Sequence, residues 1–329
     1  MPERLTAAIE GGQARGVHAV VVVRHGRLVV EHYGTGNDYR LAEPLGQVAF
    51  RRETLHDVRS VTKSVVGVLY GIALAAGDVP EPDAPLLESF TEYPDLQADP
   101  RRAGLRVAHA LTMTCGLEWN EHAPYTSEEN SEIAMEFAPD RYRYALERPL
   151  VAEPGTTWRY SGGAAAIVGR LIAKGTAASL PDFTRETLCA PLGITDFDWI
   201  TGADGDALAA SGLRLTASDL ARIGQLVLDH GRFADQQVVP ASWVDAMLQP
   251  HAEVSQGLFY GYLWYVGATD VDAGTVRWVG GFGNGGQRLY VCPGLDLVVA
   301  ISAGNYDVPE QWIPPTVVFE QVVLGSLAR

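Results

Sequence analysis

Ser60 and Lys63 stand three residues apart in the stretch RSVTKSVVG. On a helix, residues three apart share a face, with Cβ atoms about 5–6 Å apart. A serine hydroxyl is a weak nucleophile until a base takes its proton. A desolvated amine on the same face is such a base, or tunes one. A helix N-terminus adds partial positive charge where the anion forms. The chain holds 25 Lys plus Arg, and only positions 63 and 174 are lysine. A sequence that otherwise uses arginine keeps Lys63 among valines and leucines, where an unpaired charge is costly. The pattern predicts a catalytic Ser–Lys pair.

Such a pair needs a third group, and PGTTWRYSGG (154–163) offers Tyr160 between a Pro-Gly turn and a helix. A free phenol titrates near about 10. A neighbouring ammonium lowers that value by favouring the phenolate, so Tyr160 and Lys63 are expected to act as a coupled pair. A third stretch, VGGFGNGGQRLYV (279–291), contains a literal G-x-G-x-x-G from Gly281 to Gly286. A dinucleotide site needs a helix after those glycines. Here a strand-like QRLYVCP follows instead. The expected role is a strand edge stripped of side chains, with a substrate lying against the backbone and a backbone N–H serving an oxyanion hole.

Other routes to hydrolysis are weaker. No G-x-S-x-G elbow surrounds a serine. The eight histidines lie in no ligand spacing, so no metal site is expected. His25 and His230 each precede glycine and read as turn residues, and His56 reads as structural. Asp57 stands where it would orient the start of the Ser60 helix.

These groups need elements to hold them. Residues 18–33 read as a β-hairpin turning at His25-Gly26, and 34–58 as loop. A helix over Ser60–Ala76 is apolar on nearly every side, as a central buried helix is. Gly67 and Gly71 share a face that admits a close neighbour. Further helices are expected over Val107–Met113, Ala164–Lys174 (stopped by Gly175), Thr216–Leu228, Ala241–Leu248 and Pro315–Leu327. Strands are expected over Leu258–Val266, Thr275–Val279, Gln287–Cys292 and Leu297–Ser302. Strands at both ends and helices between predict an α+β fold. Its antiparallel sheet domain would come from residues 1–80 and 195–329, with an inserted, mostly helical domain at 81–194 and the site in the cleft between.

The formal charge of −15 argues against the basic face that nucleic acid or an anionic membrane requires. Cys115, Cys189 and Cys292 are odd in number and widely spaced, which speaks against a disulfide framework. MPERLTAAIEGG lacks a basic n-region and an apolar h-region, and no apolar run reaches about 18 residues, so a cytoplasmic protein is expected. Nothing in the sequence addresses the oligomeric state.

Ser60-V-T-Lys63, then Tyr160-S-Gly162, then Gly281-F-Gly283 before GGQ resemble, in order and distance, the three motifs of class C β-lactamases and their relatives. So do LTMTCGLEW (111–119), EPGTTWRYSGG (153–163) and FGNGGQRLYVCPGLDLVVAISAGN (282–305). The resemblance runs from about residue 18 to 306. It implies a β-lactamase/DD-peptidase-like fold, with an antiparallel sheet flanked by helices and an inserted all-helical domain. It implies Ser60 as the acylated nucleophile, Lys63 and Tyr160 as the base system, and the N–H groups of Ser60 and Asn284 as the oxyanion hole. No cofactor is implied. Two positions depart from the β-lactamases: Gly162 replaces the Asn of the second motif, and Gly281 the Lys of the third. Each loss removes a polar anchor for a β-lactam. YSGG and GGQ look more like the family VIII esterase and 6-aminohexanoate-dimer hydrolase branch. The expected reaction is cleavage of a small ester or amide through an acyl-enzyme, in a cleft that Trp119, Tyr125 and Trp158 would line. Acyl transfer to another acceptor and a non-catalytic, penicillin-binding-like ligand sensor are the alternatives.

Overall fold

The computed structural model describes residues 1–272 and 274–327. Helix α1 (Pro2–Glu10) precedes β1 (Val17–Arg24) and β2 (Arg27–Tyr33), which turn at His25 and Gly26, both with positive φ. β3 (Thr35–Arg40) and β4 (Glu43–Ala49) follow, then the short β5 (His56–Asp57) and α2 (Val61–Ala76). The middle of the chain carries α3 (Val107–Leu111), α4 (Ser131–Glu136), α5 (Arg141–Glu147) and α6 (Gly162–Thr176). β6 (Asp198–Trp199), β7 (Leu213–Leu215), α7 (Ala217–Leu228) and α8 (Ala241–Met247) return toward the sheet. β8 (Ala252–Ser255), β9 (Leu258–Tyr260), β10 (Tyr265–Val271), β11 (Gly274–Gly283), β12 (Gln287–Cys292) and β13 (Leu297–Ala303) complete it, and Ile313–Leu327 is helical.

The main sheet runs β8-β9-β10-β11-β12-β13-β1-β2, antiparallel throughout. Its N-terminal hairpin pairs with its last strand, Val20 opposite Ile301 and Val22 opposite Val299. The fold is therefore α+β, with an antiparallel sheet built from both ends of the chain and flanked by helices. Among the described residues no helix is long and apolar enough to cross a membrane.

α2 is buried on almost every side, and Val61, Val65, Val66, Val68 and Leu69 are fully covered. Each such side chain stabilises the fold by about 1.5–3 kcal/mol. Gly77, in the left-handed region, ends the helix and donates to the carbonyls of Ala73 and Leu74. Gly67 and Gly71 admit close neighbours, as their spacing predicts. Trp243 on α8 donates its indole N–H to the Gly67 carbonyl at 3.0 Å. A Cβ at Gly71 would fall into the Trp243 ring. Gly71→Ala gains about 1 kcal/mol of helix propensity, but overpacking a rigid ring costs more, about 1–3 kcal/mol. The expected result is a net loss of up to about 2 kcal/mol, read as a lower urea midpoint with unchanged slope.

Three elements differ from the sequence reading. Residues 35–49 form the hairpin β3–β4, whose side chains are mostly exposed and polar, so no apolar alternation marks them; Asp38 is the buried exception. The strand expected over Leu258–Val266 breaks at 261–264. There Tyr262 and Leu263 donate to the carbonyls of Met247 and Leu111, and the Trp264 indole donates to Ser64 on α2. Gly175 lies inside α6 because its Cβ would strike the Asp78 carbonyl. Ala177, at φ 53°, is the residue that ends that helix. Thr216 caps α7, accepting from Asp219 N–H at 3.0 Å.

Candidate active site

Ser60 sits at the head of α2, immediately after a strained residue. Arg59 holds φ 49°, costly for a side-chain-bearing residue. Its guanidinium is fixed by Asp57 at 3.2 Å, by the Leu41 carbonyl at 2.8 Å, and by the face of Tyr306. Asp57, fully buried, also pairs with Arg214 at 2.7 Å and accepts from Leu41 N–H. These contacts set the direction in which the chain enters α2 and hence where the Ser60 hydroxyl points.

One turn on, Lys63 is 1% exposed. Its Nζ donates to Ser60 Oγ at 3.0 Å and to the Ala210 carbonyl at 2.9 Å. It also lies 4.9 Å from the centre of the Tyr160 ring. The charge is compensated by Glu132 on α4, whose Oε2 is 3.6 Å away, an ion pair slightly longer than a direct hydrogen bond. Burial pushes the Lys63 ammonium down, but Glu132, then Tyr160 and Glu121, outweigh it and hold Lys63 above the ordinary lysine value. Lys63 is therefore an ammonium at neutral pH.

Tyr160 differs from the expectation. Burial raises the phenol first; Lys63 and hydrogen bonding with Ser60 pull it back; Glu121 and Glu132 push it up again. The net direction is upward: burial is the main cause, and two carboxylates that the sequence reading missed add to it. Glu121 accepts from the Gly162 N–H, from Trp119 Nε1 at 2.6 Å and from the Tyr125 hydroxyl at 3.0 Å. Glu132 accepts from Ser211 at 2.9 Å. A Cβ at Gly162 would collide with the Glu132 carboxylate. The side chain absent from position 162 thus makes room for the counter-charge of Lys63. A buried lysine beside a motif glycine was the available signal for that acid.

Burial, and next Glu132, push the Glu121 carboxyl up to about 7, while Lys63 opposes them. A carboxyl raised on folding holds its proton more tightly in the folded chain. Its contribution to stability is present at low pH and is lost as pH rises from about 4.5 to about 7. Burial pushes the His18 and His56 imidazoles down to about 4, and they act oppositely over much of that range. The difference between wild type and Glu121→Gln isolates the acid. The variant is expected to gain several degrees of Tm relative to wild type across that window, measured by scanning fluorimetry; a pH-independent difference contradicts this.

A cavity of about 220 Å³ opens over Ser60, lined also by Tyr125, Glu132, Ile133, Phe137 and Asn284. Asn284 holds its side chain on Asp307, which also lines the cavity, donating to it at 2.7 Å and accepting from its N–H. Trp119 does not line this space: its ring is buried beneath Gly163. Trp158 packs instead on Tyr160, Tyr260 and Tyr265, as a wall behind the phenol. The glycine motif also differs. A Cβ at Gly281 would press on Ser64 and Val61, and one at Gly283 on the Val58 carbonyl. These glycines bring β11 against the first turn of α2. Pairing of β11 with β10 ends at Gly280, leaving residues 281–283 paired on the β12 side.

A family model described as Beta-lactamase matches residues 3–311. The chain is 25% identical over 301 residues to a 6-aminohexanoate-dimer hydrolase from Paenarthrobacter ureafaciens, covering 85% of this chain and 71% of that one. It is 31% identical over 129 residues to a monacolin J acid methylbutanoyltransferase from Aspergillus terreus, covering 38% of this chain and 30% of the transferase's length. Its fold is similar to that of EstCE1, described as a hydrolase with promiscuous acyltransferase activity, with TM-score 0.77, 16% identity and coverage of 97% and 98% of the two chains.

Proposed function

The chain belongs to the beta-lactamase family, and from that premise we propose that it cleaves a small ester or amide through an acyl-enzyme on Ser60. The observation that carries this reading is a hydroxyl on an open cavity, 3.0 Å from a fully buried ammonium. Ser60 Oγ attacks the carbonyl carbon as its proton passes to Tyr160 in its phenolate form, the minor form at neutral pH, which the Lys63 ammonium favours against burial and the two carboxylates. The carbonyl π pair moves onto oxygen, where the N–H groups of Ser60 and Asn284 receive it. Tyr160 returns the proton to the leaving alkoxide or amine. Water then attacks the acyl group with Tyr160 again taking a proton. Glu121, half-titrated near neutrality, sets how much negative charge opposes the phenolate.

A fluorophosphonate probe tests this on the intact chain. The expected result is one probe mass per chain, mapped by peptide sequencing to Ser60, together with p-nitrophenyl ester turnover. Labelling elsewhere, or none, would defeat the proposal. A covalent adduct formed with a simple ester that never turns over would favour a ligand sensor.

Similarity to the methylbutanoyltransferase supports a second reading, transfer of the acyl group to an alcohol or amine. Added acceptor distinguishes the two. Hydrolysis leaves the carboxylic acid as the sole acyl product, whereas transfer yields the new ester or amide at the acid's expense.

A further inference from the structure

Three residues from separate strands meet behind the Ser60 segment: His18 on β1, Asp38 on β3 and His56 on β5. They are 2%, 1% and 2% exposed, and one potential ligand atom from each lies within 4.8 Å of the others. Their hydrogen bonding does not close. His56 Nδ1 is 2.9 Å from the Asp57 carbonyl, which only accepts, so Nδ1 carries the proton. A neutral His56 therefore turns a lone pair outward at Nε2. That lone pair faces His18 Nδ1 at 3.0 Å, which can donate to it, and Asp38 Oδ1 at 3.4 Å, which cannot.

Asp38 is the anomaly. It is a buried carboxylate whose Oδ1 accepts from the Tyr306 hydroxyl at 3.1 Å, while its buried Oδ2 has no hydrogen-bond partner. The nearby arginines Arg59 and Arg214 pair with Asp57 instead. An uncompensated carboxylate against an imidazole lone pair is unfavourable in a medium of low polarity. A cation between them removes the conflict.

We propose that His18 Nδ1, His56 Nε2 and one carboxylate oxygen of Asp38 hold a first-row divalent metal ion, zinc by preference. Two imidazoles and one carboxylate suit that class. Tetrahedral metal–ligand bonds of about 2.1 Å give ligand–ligand edges of about 3.4 Å; the two edges at His56 Nε2 are 3.0 and 3.4 Å, and the third lies within 4.8 Å. The second shell is present: His56 Nδ1–H is anchored on a carbonyl and Asp38 on a tyrosine, the arrangement that orients metal ligands. Phe50 stacks on His18 at 4.2 Å and closes one side. On binding, His18 carries its proton on Nε2 instead of Nδ1, and both rings stay neutral. The ion ties β3 to β1 and β5, so its effect is on stability. Sequence spacing hides the site, since its ligands come from three separate strands.

The test uses the full chain, dialysed against a chelator and then titrated with Zn²⁺ or Co²⁺. Expected are one ion per chain by elemental mass spectrometry, the strong visible absorption of tetrahedral Co²⁺, and a higher Tm with metal. Asp38→Asn is expected to weaken binding more than about 100-fold, since outer-shell changes alone cost about 10–100-fold. Its metal-free Tm should equal or exceed that of metal-free wild type. A wild type that binds no stoichiometric ion, or an Asp38→Asn chain that binds as tightly, overturns the proposal. Should that variant not fold, the wild-type stoichiometry and cobalt spectrum decide alone.

Discussion

Ser60→Ala, Lys63→Arg and the double variant are expected to lose ester turnover by one common factor, about 10⁴-fold or more in kcat/KM. Residues that act as a unit are not additive. Once the nucleophile is gone, the ammonium has nothing to assist, and without it the hydroxyl is inert. Arginine keeps the charge but not the function. Nζ is a compact donor that reaches Ser60 Oγ and the Ala210 carbonyl together, at 3.0 and 2.9 Å, from a position 1% exposed. A planar guanidinium does not fit that point, where one compact ammonium meets both oxygens. Steady-state kinetics on the three proteins, with circular dichroism to establish folding, decide the matter. A Lys63→Arg chain within about tenfold of wild type would leave the lysine a structural role only. A double variant slower than either single by the product of their losses would mean that the two act independently.

The parts visible in the sequence share one property: the information is local. Lys63 stands out because almost every other cation is arginine, and the three-residue spacing places it under Ser60. The apolar surround of α2 and the strands at both chain ends give the α+β frame for the same reason. What stayed hidden depends on contacts between distant segments. Glu121 and Glu132 sit in a polar, acidic stretch that reads as solvated surface, and only folding brings them under Lys63. The glycines at 281 and 283 look like an edge left bare for substrate. Their missing side chains are also required by Ser64, Val61 and Val58 on the facing segment, while pairing with β10 ends at Gly280. Trp119 and Trp158 have the composition of a cleft but are packed behind it. β3–β4 escaped notice because an exposed hairpin needs no apolar alternation.

Glu132 carries the second large effect. It is the counter-charge of an ammonium with almost no access to water, so Glu132→Gln leaves that ammonium buried and unpaired. Breaking a buried pair from one side costs on the order of 3 kcal/mol. Glutamine has nearly the same shape and keeps an oxygen for Ser211, so the loss reports charge and not a cavity. The catalytic consequence has a definite sign. Glu132 raises both Lys63 and Tyr160. Removing its charge lowers both, so the base ionises at lower pH and the acidic limb of the kcat/KM profile shifts down by at least about one unit. Glu132→Asp, which keeps the charge on a shorter arm, should restore most of the limb while recovering only part of the stability. A merely structural acid predicts a different pair of results: Glu132→Gln would lose stability with its limb unmoved. The profile therefore separates a glutamate that tunes the base from one that only holds the lysine in place, and the tuning role requires the limb and the Tm to move together.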